Sequence, residues 1–520
     1  MPICDTVFRE VKVVDGSGTD AYIGSVGVTD DRIVWVSDVD THGPEADAAV
    51  FGNGRVLAPG FIDVHTHDDH LPFVEPTMPA VVRQGVTTVV VGNCGVSFWP
   101  VLKNSIFEPY VEEYIGENWR DFGDYLDAVS ACRPVVNVAA LVGHGSLRQS
   151  LGVPEGPVDG VILASLCRMA ADAVQAGALG ISTGLVYAPG FHAGLSELVA
   201  VAGAVAAHGG SYSSHIRGEG RLLFKALEEA VCVHGSADCQ VHVSHLKLAA
   251  REVWGEADKA LELLASNGVT ADQYPYAAWS CNLSAFLPPW VTVERLRDVL
   301  VHPEQRRRLA SAVERGTDEW QSLAEGSGWR SIVLCDPAES SYMGCDLASV
   351  AEARGEDPVE TVFNMLVDKP DVQVIGHAMS EDDVQTILAC PDVMIASDAF
   401  PVPGGFGAIA DHPRSYGTFP RVLGRYVRDE ALLTLETAVR KMTSLPAERY
   451  GFRDRGRICE GGFADLVLFG EEEVGESGDY EHPRLPPRGI DLVLVNGAIA
   501  WDGRDVSARA GRVLRACATQ

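Results

Sequence analysis

From residue 58 onward the chain keeps one rhythm: an apolar run ending in a polar residue, then a loop, then a stretch of helical period. Such repetition fits a parallel sheet whose strands are joined by crossover helices. The candidate strands end at His67, Cys94, His144, Thr183, His215, His245, Tyr274 and Asp398, with helical stretches such as residues 158–176, 221–234 and 252–267 between them. Eight strands alternating with helices predict an α/β fold, a (β/α)8 barrel of the TIM type.

Breaks in the rhythm set the domain organisation. Before residue 58 the chain reads as short β-branched strands over residues 11–14, 25–28 and 33–36, separated by Gly, Asp and Ser turns. After a helix over residues 435–450, β character returns at 464–469 and 491–495. The two ends, residues 1–57 and 455–520, are expected to meet in a small β-sandwich beside a barrel of residues 58–454. The interval from about 285 to 390 is too long for one crossover. It holds a charged helical stretch at 293–316 and short strands at 331–335 and 372–375, and it reads as an inserted subdomain or lid before strand 8.

Composition narrows the functional classes. A chain of 520 residues that is 46% hydrophobic has ample material for a buried core, which excludes disorder. The formal charge of −31 is spread along the chain, against nucleic acid or an anionic membrane as partner. An anionic substrate would need cations placed locally. The N-terminus lacks a basic patch followed by an apolar stretch, and no segment runs ~18 apolar residues, so a cytoplasmic protein is expected. The twelve cysteines are scattered singly with no CxxC pair, which argues against a disulfide framework or a zinc ribbon. Most read as small buried hydrophobes.

On a barrel of this type, active groups sit at the C-terminal strand ends. His65 and His67 follow the apolar run 58–64, and a period of two turns both imidazoles to one face. With Cys94, His215, His245 and Asp398, six N, S and O donors face one cavity, the ligand set of a zinc-type site with room for two metal positions. Each residue also has a plainer reading. Cys94 could be an inert core thiol, His215 and His245 could be satisfied core histidines, and Asp398 could cap a helix.

Taken together, the motifs resemble the amidohydrolase superfamily and, within it, the N-acyl-D-amino-acid deacylases, or D-aminoacylases. They are Ala58-Pro59-Gly60-Phe61-Ile62-Asp63-Val64-His65-Thr66-His67-Asp68-Asp69, Gly92-Asn93-Cys94-Gly95, Val142-Gly143-His144, Gly180-Ile181-Ser182-Thr183-Gly184, Ser244-His245-Leu246-Lys247, Tyr274-Pro275-Tyr276, Ser397-Asp398, His412-Pro413-Arg414 and Gly417-Thr418-Phe419-Pro420-Arg421-Val422-Leu423-Gly424. The first marks the superfamily, and Gly-Asn-Cys-Gly is far more specific. Hydantoinases and dihydroorotases bridge two metals with a carboxylated lysine, whereas strand 4 here ends in Gly180-Ile181-Ser182-Thr183 without one.

The resemblance implies a tight Zn2+ on Cys94, His215 and His245, a second and weaker position on His65, His67 and Asp398, and Asp398 as general base. It further implies that Lys247 and Arg414 bind a substrate α-carboxylate and that Tyr274 and Tyr187 hydrogen-bond the substrate. Both cations read alone as surface charges, and both tyrosines as amphipathic packing. Lys247 shares a face with His245 if strand 6 persists that far. The implied reaction is zinc-dependent hydrolysis of a small N-acyl-D-amino acid, with Asp398 taking a proton from the attacking water and returning it to the leaving amine.

Two features depart from the family pattern. His215-Ile216-Arg217-Gly218-Glu219 stands where relatives carry His-x-Arg-Asp-Glu, losing a carboxylate near the cavity. His377 lies where no histidine is expected and reads as a lid residue or a surface group. The alternatives are a cyclic amidase or dipeptidase on the same scaffold, disfavoured by the missing lysine, and a non-catalytic metal-binding barrel, which would have no use for the base. Acyl group, side chain and oligomeric state stay open.

Overall fold

In the computed structural model, which describes residues 4–38, 44–101, 107, 110, 119–153, 155–335, 341–369, 371–404 and 411–516, short parallel strands run around a barrel. Phe61–Asp63 pairs with Val86–Val91, which pairs with Asn137–Ala140. Past Leu141 the third strand resumes as Val142–Gly143 beside Gly180–Gly184. Ser211–His215, Val241–Val243, Thr270–Gln273 and Val393–Ile395 then follow in parallel order. The eighth and first strands close the ring through a Thr66–Ala399 bridge, with Asp398 N donating to His65 O at 2.8 Å and His67 N to Ala399 O at 2.7 Å.

Local sequence accounts for these elements. Val86–Val91 is a β-branched run, buried at every position, as a strand covered on both faces requires. Helix Gly160–Ala176 starts where the Asp159 carboxylate accepts from Val161 N and Ile162 N, and it stops at Gly177, whose φ of 118° an L side chain rarely adopts. Two long helical stretches are each broken in two. Residues 293–316 divide into Val293–Leu300 and Pro303–Arg315, because a proline cannot donate into the preceding turn. Residues 435–450 divide into Leu435–Met442 and Ser444–Tyr450 at Thr443, whose φ of −135° and ψ of −83° leave the helical region.

Regular pairing also ends earlier than the sequence pattern suggests, at Asp63, Val91, Val243 and Ile395. The polar residues beyond are held in turns. Cys94, His245 and Asp398 have φ of 53°, 36° and 50°, in the left-handed region that a strand cannot accommodate.

The two chain ends share one hydrogen-bonded sheet. Cys4–Val13 pairs with Tyr22–Thr29, Ala46–Phe51 and Val56–Pro59, and Val56–Pro59 is antiparallel to Leu466–Phe469. Ile490–Val495 and Ala498–Trp501 extend it. The expected sandwich thus takes the form of one continuous eight-stranded sheet, since Val56–Pro59 bonds along both edges. Its core holds Phe8, Val11, Val26, Leu57, Leu466 and Leu494. Before the eighth barrel strand, Trp279–Asn282, Gln373–Gly376 and Ile332–Leu334 form a separate antiparallel sheet packed with helices. No helix among the described residues is long and apolar enough to cross a membrane.

Candidate metal centre and active site

The turn after the second strand shows how backbone chemistry aims a ligand. Gly92 and Gly95 have φ of 78° and 76°. A Cβ on Gly92 would lie 2.1 Å from Leu141 O, and one on Gly95 2.6 Å from Gly184 N. Only glycine lets this turn lie against the third and fourth strands. Asn93 Nδ2 donates to Val90 O at 2.9 Å, and Cys94 is left with its sulfur inside the barrel. At the barrel seam, Asp63 Oδ1 accepts from His65 N at 3.2 Å and Ser397 N at 3.1 Å, which ties the two-histidine turn to the Asp398 turn.

Six side chains from five strands converge there. Cys94 Sγ lies 3.3 Å from His65 Nε2 and 3.4 Å from His245 Nε2, which is 3.1 Å from His215 Nδ1. Asp398 Oδ1 is 3.4 Å from His67 Nε2 and 3.5 Å from His65 Nε2. The donor atoms of Cys94, His215 and His245 lie within 4.8 Å of one another, as do those of His65, His67, Cys94 and Asp398. Cys94 belongs to both groups, whereas the sequence reading gave it to one. Burial opposes charge on the Cys94 thiol, but the His65 and His245 imidazoles hold it well below the ordinary thiol range. A buried thiolate among imidazoles is a donor set suited to zinc.

Two carboxylates that the sequence reading did not assign stand behind the imidazoles. Asp272 lies 3.4 Å from His65 Nδ1 and 2.7 Å from His242 Nε2, and it accepts from His245 N at 2.8 Å. An aspartate inside the buried strand Thr270–Gln273 is a signal that could have found it, since a buried charge needs partners. Glu219 Oε1 is 2.5 Å from Lys247 Nζ, 3.3 Å from His245 Nδ1 and 3.6 Å from His215 Nε2. The cavity therefore keeps a carboxylate from the His-x-Arg-Gly-Glu segment. At Gly218 itself a Cβ would come 2.6 Å from Leu222 Cβ.

Both expected cations reach the site, each already paired. Arg414, first residue of helix Arg414–Arg421, places Nη1 2.7 Å from Asp398 Oδ2 and its guanidinium carbon 4.9 Å from the Tyr274 ring centre. Lys247 lies beyond the end of its strand at Val243, so a loop and not a shared strand face brings its Nζ 2.7 Å from His245 Nδ1. The buried Tyr274 hydroxyl finds no hydrogen-bond partner of normal geometry among the described residues. Tyr187 stands edge-on to His215, and its hydroxyl donates to Cys94 O at 2.6 Å because its loop folds back over the Cys94 turn.

Other strand ends go elsewhere. His144 lies 2.8 Å from Glu197, a carboxylate also held by the buried Arg148. His377 is exposed, with its ring 4.8 Å from that of Tyr480, which in turn stands 5.3 Å from His412.

Comparison with known proteins shows the family to which the chain belongs. A family model described as the amidohydrolase family matches residues 52–500. A D-aminoacylase of Alcaligenes xylosoxydans xylosoxydans is 36% identical over 514 residues, 96% of each chain. An N-acyl-D-glutamate deacylase from the same organism is 36% identical over 522 residues, 98% of this chain and 96% of its own. The crystal structure of an N-acyl-D-glutamate deacylase from Bordetella bronchiseptica, complexed with zinc and a phosphonate inhibitor that mimics the tetrahedral intermediate, is similar with a TM-score of 0.83 and 32% identity, covering 99% of this chain and 100% of that one. Matched across most of its length by the family model and by such relatives, the chain belongs to the amidohydrolase family, in its N-acyl-D-amino-acid deacylase branch.

Proposed function

We propose that this protein is a zinc-dependent hydrolase that cleaves the amide bond of small N-acyl-D-amino acids to a carboxylate and a free D-amino acid. The observation that carries this reading is the Cys94 thiol set between two groups of imidazoles, with Asp398, Arg414 and the unpartnered Tyr274 hydroxyl gathered beside it. The deacylase relatives and the zinc and phosphonate complex of one of them support it.

In this reading Cys94, His215 and His245 hold the tight metal, and His65, His67 and Asp398 a weaker one. Zinc held there would supply Lewis acidity, polarising a carbonyl and lowering the pKa of water. Asp398 accepts the proton of the attacking water and returns it to the leaving amine nitrogen. Arg414 and Lys247 bind the substrate α-carboxylate, so an incoming carboxylate competes with Asp398 and Glu219 for these cations. Tyr274 donates its hydroxyl to the substrate, and Tyr187 steadies the carbonyl of Cys94 while walling the same cavity. The reading divides the chain into a β unit of residues 1–57 and 455–520 and a barrel of 58–454 with an insertion at about 285–390, and it places the protein in the cytoplasm.

The test is a screen of N-acetyl and N-formyl amino acids of both configurations, with and without added zinc. Release of the free D-amino acid, dependent on metal and absent after chelation, is the expected result. Cleavage confined to cyclic amides, or no amide hydrolysis by zinc-loaded protein, would overturn the assignment.

A further inference from the structure

One oxygen of Glu219 faces the far side of two imidazoles. Glu219 Oε1 lies 3.3 Å from His245 Nδ1 and 3.6 Å from His215 Nε2, while the other nitrogens of those rings, His245 Nε2 and His215 Nδ1, stand 3.1 Å apart on the Cys94 side. The same oxygen is 2.5 Å from Lys247 Nζ. Lys247 Nζ is in turn 2.7 Å from His245 Nδ1.

These atoms admit two proton arrangements, and only one suits a ligand. An ammonium can only donate. If His245 Nδ1 accepts from Lys247, the ring proton of a neutral His245 sits on Nε2, the nitrogen that faces Cys94 Sγ at 3.4 Å, and that nitrogen has no lone pair to offer. If instead Nδ1 carries the proton and directs it to Glu219, Nε2 is free for a metal. A carboxylate behind a ligating histidine fixes its tautomer in this way and raises its basicity. A lysine unopposed at the same nitrogen does the reverse.

We propose that Glu219 is a positioning residue of the metal centre: it engages the Lys247 ammonium and the Nδ1 proton of His245 together, so that His245, with His215 beside it, turns a free nitrogen toward Cys94. The role rests on the metal set assigned above and not on the identity of the substrate.

Zinc titration of metal-free protein against a competing chelator tests this without any substrate. Glu219→Ala should bind zinc ~10–100-fold more weakly than wild type. Glu219→Gln, which keeps the size and one acceptor, should fall between the two and covers the case in which the alanine variant does not fold. The decisive variant is Glu219→Ala combined with Lys247→Met. Removing the ammonium should restore part of the lost affinity, because His245 is then free to take either tautomer. A purely structural role for Glu219 predicts no such recovery. Wild-type affinity in Glu219→Ala or Glu219→Gln, or a double variant that binds no better than the single one, would overturn the role while leaving the metal centre intact. Wild-type protein that takes up no zinc would remove the metal centre, and this role with it.

Discussion

Lys441 is wholly buried, and its ammonium donates to the Cys390 carbonyl. Burial pulls its pKa down from 10.5 to about 7, with Cys390 and Asp392 opposing the shift. In the unfolded chain the ordinary value returns. Between about 7 and about 10.5 the unfolded state therefore binds a proton that the folded state does not, and stability rises with pH across that window. Below about 7 both states are protonated and the dependence ends. Lys441→Met should flatten the rise, as checked by urea unfolding at pH 7, 8 and 9. An unchanged slope would show that the lysine is solvated after all. At the same scale, the residues a reader of the sequence finds are those that stand alone at a strand end, such as Cys94 and Asp398. Asp272 escapes because its partner His65 lies far away along the chain, and Glu219 because its contacts with Lys247 and His245 arise only where two loops meet. Asp398 shows the same limit. Its clamp on Arg414 at 2.7 Å could not be read from positions 398 and 414 separately. Burial opposes its ionisation, yet Arg414 and then His245 hold the carboxyl well below the usual range.

At the scale of the element, the strand count and order are legible because short buried runs alternate with stretches of helical period. Strand ends and helix breaks are not, because they are set by turns. Period two carries the eye to His67, Cys94 and His245, whereas regular pairing stops at Asp63, Val91 and Val243, and left-handed turns deliver Cys94, His245 and Asp398. Gly95, next to the ligand, tests this. Its φ is 76°, and a Cβ would press to 2.6 Å from Gly184 N on the fourth strand. Gly95→Ala should destabilise the protein by ~1–3 kcal/mol and weaken zinc binding, because the turn that aims Cys94 must shift. Thermal melting and metal content measure both. Unchanged values in each would mean that the turn does not position the thiol.

At the scale of the whole molecule, the chain ends are fastened to the base of the barrel, away from the strand ends that carry the ligands. Asp465 pairs with the buried Arg455 and accepts from Asn496 N at 2.7 Å and from Asn137 Nδ2 at 3.2 Å, while Asn496 Nδ2 donates to Asn137 Oδ1 at 2.8 Å. Asn137 begins the third barrel strand. No pattern in the sequence announces this network, since Asn137 lies hundreds of positions before the cluster of Arg455, Asp465 and Asn496 that it joins. Asp465→Ala leaves Arg455 buried without its counter-charge and should lower stability by ~3–5 kcal/mol in urea unfolding, with turnover by the folded fraction retained. A loss under ~1 kcal/mol would mean that water reaches the arginine, since exposed pairs contribute no more than that.

The central claim is that Asp398 moves the proton beside a metal held by Cys94, His215 and His245. Its most direct test measures zinc content and turnover together in Asp398→Asn, which keeps the size and one oxygen but cannot take a proton. The expected result is a protein that retains the Cys94 zinc while kcat on an N-acyl-D-amino acid falls by ~10²-fold or more. Substantial turnover by the zinc-loaded variant, with an unchanged pH profile, would contradict the account and leave Asp398 as a ligand or an anchor for Arg414.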